Sequence, residues 1–252
     1  MCVAAVAWDA HPDWLLVVAG NRDEFHARPA APLARWEDGS GIIAGTDLTG
    51  GGTWLGLTEA GRFAIVTNYR VPEGAQPGRP SRGRLVTDLL TGAAAQDMGR
   101  MNPFNLVLVE HGRASFLTNH PATETRPLSP GIHGLSNGGF DVPWPKTLQV
   151  GHAIEDWLVV GDGDFEPLLA ALRDEKPAPS PEHPDLGPEP RFAPVFIRND
   201  LYGTRCSTVV AVDRQGRGTI VERSFDALGR HSGEVRIGFA WPLEVSHSSS
   251  RT

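Results

Sequence analysis

The fold is decided by two short apolar stretches, Cys2-Val-Ala-Ala-Val-Ala-Trp8 and Trp14-Leu-Leu-Val-Val-Ala19. Between them lies Asp9-Ala-His-Pro-Asp13, whose composition is typical of a turn. Apolar stretches of this length between turn residues predict strands that are buried on both faces. The chain is therefore expected to begin with a hairpin of two core strands, the first starting at Cys2.

Four consecutive polar residues, Asn21-Arg-Asp-Glu24, follow the second strand directly. In a hairpin, this cluster lies beside the first residue of the neighbouring strand, which is Cys2. The alternative is a solvated turn with a surface ion pair, which contributes little to stability. Position alone leaves both interpretations open.

Cys2 also carries the chemistry that an amino terminus can supply. If Met1 is removed, as a small second residue permits, the chain begins with a thiol and a free α-amine on one residue. The thiolate is the reactive form of cysteine, and the α-amine titrates near ~8, so it can relay a proton. The alternative is that Cys2 is only the first buried residue of a strand.

The whole-chain properties narrow the function classes. The 252 residues are expected to form one domain over 1–245 with a disordered tail at 246–252, and the Pro-rich stretch Lys176 to Pro194 is interpreted as a surface loop. A net charge of -7 without a Lys/Arg run argues against a nucleic-acid partner. The apolar runs are too short for a membrane span or a signal peptide. The oligomeric state stays open.

The cysteines and histidines predict neither a disulfide framework nor a metal site. Only Cys2 and Cys206 are present, which fits a reducing, cytoplasmic setting. The histidines lack the spacing of metal ligands, and no G-x-S-x-G elbow is present. Five of the nine histidines carry this interpretation: His26, His111, His120, His133 and His152.

The remaining periodicity predicts paired strands interrupted by a few helices, which favours an α+β layered fold over a doubly wound parallel sheet. The segment from Arg28 to Pro32 is expected to be a Pro-rich connection. The expected helices cover 81–92, 146–158 and a third segment that Asp164 caps. The expected strands after the first hairpin are 41–44, 50–57, 63–70, 104–110, 114–118, 207–212, 219–225 and 234–240.

Several short motifs occur together and in order along nearly the whole chain. They are Asn21-Arg-Asp-Glu24, Gly51-Gly-Thr-Trp-Leu-Gly56, Thr67-Asn-Tyr-Arg70, Ser81-Arg-Gly83, Phe104-Asn-Leu106, Gly134-Leu-Ser-Asn137, Pro143-Trp-Pro-Lys146 and Tyr202-Gly-Thr-Arg205. This set resembles the NRDE family, also known as the transport and Golgi organisation protein 2 family. The resemblance implies a relationship to N-terminal nucleophile hydrolases of the conjugated bile acid hydrolase and penicillin V acylase type, with a four-layer αββα sandwich.

The resemblance also implies roles for individual residues. Cys2 is the nucleophile and its amine the base. Arg22 is the active-site arginine of the motif, and either Asp23 or Glu24 is the carboxylate, because those enzymes have Gly-Arg-x-x-Asp where this chain has Gly20-Asn-Arg-Asp-Glu24. The remaining implied roles are oxyanion donors at the Asn68 backbone N–H and the Asn137 side-chain amide, and a further arginine at Arg205. The alternatives are turn residues for the two asparagines and, for Arg205, an ion pair with Asp23 or Glu24.

Two functions follow as hypotheses. The first is a hydrolase without a cofactor, acting on a linear amide (C–N, non-peptide) or a related acyl bond of a small molecule. The alternative is a non-catalytic carrier on the same fold, because the resemblance links the family to haem trafficking and to lipid or acyl-coenzyme A homeostasis. A third hypothesis, thiol redox sensing, requires the sulfurs of Cys2 and Cys206 to be neighbours.

Overall fold

The computed structural model describes residues 2–94, 97–176 and 192–242. The predicted Pro-rich loop from Lys176 to Pro194 lies mainly outside these ranges. The predicted tail at 246–252 lies wholly outside them. The helices are α1 (Arg82–Thr91), α2 (Pro145–Val160) and α3 (Glu166–Ala171). The strands are β1 (Cys2–Trp8), β2 (Trp14–Phe25), β3 (Ala30–Arg35), β4 (Ile42–Asp47), β5 (Leu55–Thr58), β6 (Arg62–Asn68), β7 (Phe104–Glu110), β8 (Arg113–Thr118), β9 (Glu124–Pro127), β10 (Gly131–Leu135), β11 (Tyr202–Asp213), β12 (Arg217–Phe225) and β13 (His231–Ala240).

The strands form two antiparallel sheets that stack face to face. One sheet has the order β10-β1-β2-β11-β12-β13 and the other β3-β4-β5-β6-β7-β8-β9. One apolar cluster fills the space between the sheets, a second joins β1, β2 and β11 to α2 and α3, and a third lies under α1. The layers are therefore α, β, β and α, which confirms the predicted sandwich.

The first hairpin forms as predicted and is buried on both faces. Alternate residues of β1 point to opposite sides, so Ala4 and Val6 enter the core between the sheets while Val3 and Ala5 meet the helices. Such double burial explains the uninterrupted apolar sequence. No helix in the described ranges is long and apolar enough to cross a membrane.

The structure corrects three details of the sequence prediction. The cluster from Asn21 to Glu24 does not follow the second strand but lies inside it, because β2 continues to Phe25 and pairs with β1 and β11. The expected connection at 28–32 contains the start of β3, which tolerates Pro32 because it is a sheet edge. The third helix is capped at Phe165, although Asp164 still accepts the Glu166 N–H at 3.0 Å.

Candidate functional site

Strand β2 divides the polar cluster between two layers of the molecule. Asn21 faces the helices, where its amide donates to the carbonyls of Leu172 and Val195 at 2.8 and 2.9 Å. Arg22 faces the other sheet, where its Nη2 lies 3.1 Å from Asp47 Oδ2. Strand alternation alone produces this separation, since successive side chains point to opposite faces. The first residue of the cluster is thus structural, and the second reaches the space between the sheets.

Cys2 lies at the start of β1, directly opposite Arg22 in the register. Its carbonyl accepts a hydrogen bond from Ser136 Oγ at 2.9 Å, which fixes the strand end. Burial and the Asp23 carboxylate raise the pKa of the Cys2 thiol, while the amino terminus, a hydrogen bond from the Asp23 backbone N–H and the charge of Arg22 act in the opposite direction. The thiol is therefore buried beside groups that favour its ionised form.

Asp23 is the carboxylate beside the amino-terminal end of β1. Its side chain is 3% exposed, and Oδ1 accepts a 2.7 Å hydrogen bond from Thr204 Oγ1. Burial raises the pKa of Asp23 to about 6, against the positive charges of the amino terminus, Lys146 and Arg22. Asp23 is therefore a buried carboxyl on which three positive charges act.

Glu24 belongs to a different group of charges. Its Oε2 lies 3.8 Å from Arg22 Nη2 and 3.7 Å from Arg28 Nε, and both arginines also contact Asp47 Oδ2. Although burial acts to raise it, the pKa of Asp47 is lowered by hydrogen bonds from Arg28 and the Gly50 N–H. Of the two acids left open by the sequence, Asp23 is thus coupled to the amino terminus and Glu24 to the arginines.

The two asparagines meet at the ends of β6 and β10. Asn137 Nδ2 donates to the Asn68 carbonyl at 2.7 Å, and the Arg70 N–H donates to the Asn137 carbonyl at 2.8 Å. The side-chain amide of Asn137 carries two N–H donors, and the bond to Asn68 uses one of them. Thr67 Oγ1 also donates to the Ser136 carbonyl at 2.7 Å, which ties the two strand ends together.

Arg205 lies apart from the other candidates. The register of β11 against β2 shifts between Thr204 and Cys206, so Arg205 is the extra residue of a bulge. Its Nη1 donates to the carbonyls of Phe25, His26 and Arg28 at 3.2, 2.9 and 3.4 Å. The expected alternative, an ion pair with Asp23 or Glu24, is wrong, because the guanidinium instead donates to backbone carbonyls of the turn after β2 and so stabilises that turn.

Five of the seven candidates line one cleft of about 270 Å³, here called the Cys2 cleft: Cys2, Arg22, Asp23, Glu24 and Asn68. An outer cavity of about 730 Å³ adjoins it and is lined by Asn137 and by the aromatic residues Phe25, Tyr69, Phe192 and Tyr202. The two spaces share Glu24, Asn68, Arg82 and Asn102. Arg205 lines a third space of about 370 Å³, the Cys206 cavity, on the far side of Arg22.

Lys146, Thr204, Ser136 and Asp47 also belong to this site, and the sequence analysis assigned none of them a role. Of these four residues, only Lys146 could have been singled out from the sequence, because the chain has only two lysines against 21 arginines. It is fully buried at the first turn of α2. The other three contribute hydrogen bonds that depend on tertiary contacts.

The third hypothesis, thiol redox sensing, requires the sulfurs of Cys2 and Cys206 to be neighbours, and the strand register does not place them so. Both residues pair with Arg22, one from each side, so β2 separates them. Two strand spacings place their Cα atoms roughly 9–10 Å apart, whereas a disulfide rarely spans more than about 7 Å. Both thiols are free.

Among solved structures, the chain aligns with an N-acylethanolamine-hydrolyzing acid amidase orthologue from Caenorhabditis elegans. That alignment has a TM-score of 0.48 and 12% identity, and covers 82% of this chain and 92% of the other. A conjugated bile acid hydrolase variant from Clostridium perfringens gives a TM-score of 0.41 and 10% identity over 98% and 100% of the two chains. Both scores are low, so neither alignment supports an inference about activity.

Sequence relatives match more strongly. The chain is 32% identical to the human Transport and Golgi organization protein 2 homolog, over 89% of this chain and 93% of the relative. It is 27% identical to the Drosophila melanogaster Transport and Golgi organization protein 2, over 92% and 94% of the two chains. The sequence model of the family described as Transport and Golgi organisation 2 matches residues 1–227. The chain therefore belongs to the Transport and Golgi organisation 2 family.

Proposed function

We propose that this chain is a cysteine N-terminal nucleophile hydrolase that cleaves a linear amide (C–N, non-peptide) or a related acyl bond of a small molecule after Met1 is removed. The observation that carries the proposal is the position of Cys2. It begins a core strand beside Arg22, its sulfur accepts the Asp23 N–H, and it lines a cleft. Removal of Met1 would leave the base on the nucleophilic residue itself.

In the proposed reaction, the Cys2 amine takes the thiol proton and the thiolate attacks the carbonyl carbon of the substrate. The oxyanion of the tetrahedral intermediate would be stabilised by the Asn68 N–H and the second N–H of Asn137. Collapse breaks the C–N bond, and the ammonium of Cys2 returns its proton to the leaving amine. Water then hydrolyses the Cys2 thioester, which releases the acid and restores the thiol.

The residues around the Cys2 cleft suggest how a substrate would be arranged. The scissile bond would lie in the polar Cys2 cleft, and a larger apolar group would lie in the outer cavity, beside its aromatic side chains. Arg82 lines both spaces, and its Nη1 donates to the Pro103 carbonyl at 3.1 Å. A substrate with a polar acyl junction and an apolar tail fits this arrangement.

A turnover assay tests the proposal. Fluorogenic N-acyl amides with acyl chains of graded length would be offered to the parent chain, to Cys2→Ala and to Cys206→Ala. Cys206 is the matched control, because both cysteines are free and buried. We expect hydrolysis by the parent and by Cys206→Ala, and none by Cys2→Ala. Undiminished turnover by Cys2→Ala, or an intact mass that retains Met1, would contradict the mechanism.

The outer cavity also favours a second candidate function, a carrier for a lipid or an acyl-coenzyme A. Its volume and aromatic lining suit a ligand with a large apolar part. For haem the fit is poorer. The described residues that line this cavity include no His or Cys, and Tyr69 and Tyr202 are its candidate axial ligands. Titration with haemin tests the haem-carrier hypothesis, and failure to saturate at a simple stoichiometry would exclude it. A cytoplasmic setting stays a prediction.

A further inference from the structure

The Cys206 cavity is a second enclosed space of about 370 Å³, and the proposed reaction does not use it. Residues of both sheets line it, among them Cys206 on β11 and Gly45 on β4. Its volume lies within the range of small-ligand cavities, which is roughly 300–1,000 Å³. The cavity could therefore hold a small organic molecule, and its charged lining indicates which kind.

The carboxyl groups that line this cavity already have partners. Asp47 Oδ2 lies 2.7 Å from Arg28 Nε, and Glu234 Oε2 lies 2.7 Å from Arg223 Nη2. Glu222 Oε1 accepts a backbone N–H at 2.8 Å, and burial raises the pKa of this carboxyl, which favours its neutral form. These acids therefore leave little negative charge for any other cation of the cavity.

The two arginines of the cavity, by contrast, keep N–H groups that have no acceptor. Arg22 is 8% exposed, and its Nη1 has no hydrogen-bond partner in the described part of the chain. Arg205 Nε is also buried without an acceptor there. The Nη1 of Arg205 donates to backbone carbonyls, and Arg205 forms no ion pair with another described residue. A buried donor without an acceptor is destabilising, and a ligand oxygen would relieve this.

We propose that the Cys206 cavity is a second ligand site, which binds a small molecule with a carboxylate through the guanidinium groups of Arg22 and Arg205. A carboxylate matches these groups, because its two oxygens accept charge-assisted hydrogen bonds from guanidinium N–H donors. The rest of the ligand would pack against Trp54 and Phe225, which supply aromatic surface to the same cavity.

This second site does not rest on the proposed function. Arg22 lines both the Cys2 cleft and the Cys206 cavity. Cys2 and Cys206 pair with Arg22 from opposite sides, because β2 lies between β1 and β11. A carboxylate bound in the Cys206 cavity would therefore lie across β2 from Cys2, and its binding requires neither the removal of Met1 nor turnover.

The first experiment compares the alkylation of Cys206 by iodoacetate and by iodoacetamide, which differ mainly in charge. In both reactions the thiol gives its proton to solvent, the sulfur bonds to the methylene carbon, and iodide leaves. Mass spectrometry of the Cys206 peptide gives the two rates. We expect the iodoacetate-to-iodoacetamide rate ratio to be roughly tenfold higher in the folded chain than in urea, because the arginines concentrate the anion. Equal ratios in the two states overturn the proposal.

Two variants test whether the arginines cause this preference. Arg205→Gln should lower the ratio, and Arg217→Gln is the matched control, because Arg217 is an exposed arginine of β12 that does not line the cavity. If Arg205→Gln does not fold, Ser232→Asp takes its place. Ser232 is exposed and lines the cavity, so an aspartate there should repel iodoacetate and lower the ratio. An unchanged ratio in the folded variant overturns the proposal.

A second measurement uses a ligand that binds reversibly. Phenylacetate should protect Cys206 from iodoacetamide in a saturable manner, whereas phenylacetamide, which has the same shape without the charge, should protect it much less. Protection that does not saturate, or equal protection by the two compounds, overturns the proposal. Because Cys206 is read separately from Cys2 and no turnover is measured, failure of the hydrolase proposal would leave this result intact and distinguishable.

Discussion

The two cysteines of the six-stranded sheet form a comparison within one molecule. Each is opposite Arg22, each is a free thiol, and their exposures are nearly equal at 9% for Cys2 and 8% for Cys206. Each also has a buried carboxyl beside it, Asp23 for Cys2 and Glu222 for Cys206. Solvent access therefore does not distinguish the two thiols. A difference in their reactivity must come from the charges that surround them.

Those charges differ between the two sites. At Cys2, burial and the Asp23 carboxylate raise the thiol pKa, whereas the amino terminus, the Asp23 N–H and Arg22 act to lower it. At Cys206, burial raises the thiol pKa well above its usual value, and the Glu222 carboxyl raises it further, whereas Arg22 acts to lower it. Burial likewise raises the pKa of Glu222, against a hydrogen bond from the Leu33 N–H. Burial thus raises the pKa of both thiols, and the largest charge that acts on each differs: the amino terminus, which lowers the pKa, at Cys2, and the Glu222 carboxyl, which raises it, at Cys206.

The largest expected effect concerns the stability contributed by Asp23. Its folded pKa of about 6 exceeds the usual value of 3.8, so the native state binds this proton more tightly than the unfolded state does. The unfolding free energy should therefore fall as pH rises from about 4 to about 6, by at most about 3 kcal/mol.

Asp23→Asn should remove that part of the pH dependence. Urea unfolding at several pH values between 4 and 7 would measure it, with Asp156→Asn as a control at an exposed acid. Equal slopes for the parent chain and Asp23→Asn would show that Asp23 is not the buried acid described above.

The next largest effect concerns Arg22, and it tests whether the charge of Arg22 itself, and not that of the neighbouring Glu24, Arg28 and Asp47, acts on Cys2. Arg22→Gln removes a cation that favours the Cys2 thiolate, so alkylation of Cys2 at pH 7.5 should slow by about tenfold. Arg28→Gln is the matched control, because Arg28 shares Asp47 and Glu24 with Arg22 but is not among the charges that act on Cys2. Equal slowing by both variants would assign the effect to Asp47 and Glu24 instead.

The smallest effect would reduce the contrast between the two thiols. Glu222→Gln keeps an oxygen that can accept the Leu33 N–H, bonded at 2.8 Å in the parent, and removes the carboxyl that raises the Cys206 pKa. Alkylation of Cys206 should then accelerate by a few fold, while that of Cys2 stays unchanged. Mass spectrometry of the two peptides measures both rates in one sample. An unaltered Cys206 rate would show that burial alone protects this thiol.

The sequence predicted those parts of the site that depend on local pattern. Two apolar stretches and a turn predicted the polar cluster beside Cys2 but left a solvated turn open, and the strand register then placed Arg22 opposite Cys2. The prolines around Lys146 likewise predicted the start of α2. The exact extent of β2 was not predicted, because polar residues in a strand are stabilised by contacts with β11 and the helices that a local pattern does not contain.

The position of Arg205 and the burial of Lys146 needed the tertiary structure. A single-residue bulge separates Thr204, which bonds Asp23, from Cys206, which faces Arg22, and places Arg205 with the carbonyl groups after β2. Bulges depend on how two distant strands align, which a sequence does not display. Lys146 becomes fully buried only when α2 lies on the sheet, which is a contact between distant parts of the chain.

The central claim is that Cys2, with its amine freed, is the reactive nucleophile of this chain. The most direct test treats the purified protein with 2-cyanobenzothiazole, which condenses with a thiol and an amine on the same residue, and maps the adduct by peptide mass spectrometry. The account predicts a chain that lacks Met1 and carries one adduct, on Cys2. A chain that retains Met1, or that gives no adduct at Cys2 even when unfolded, would contradict it.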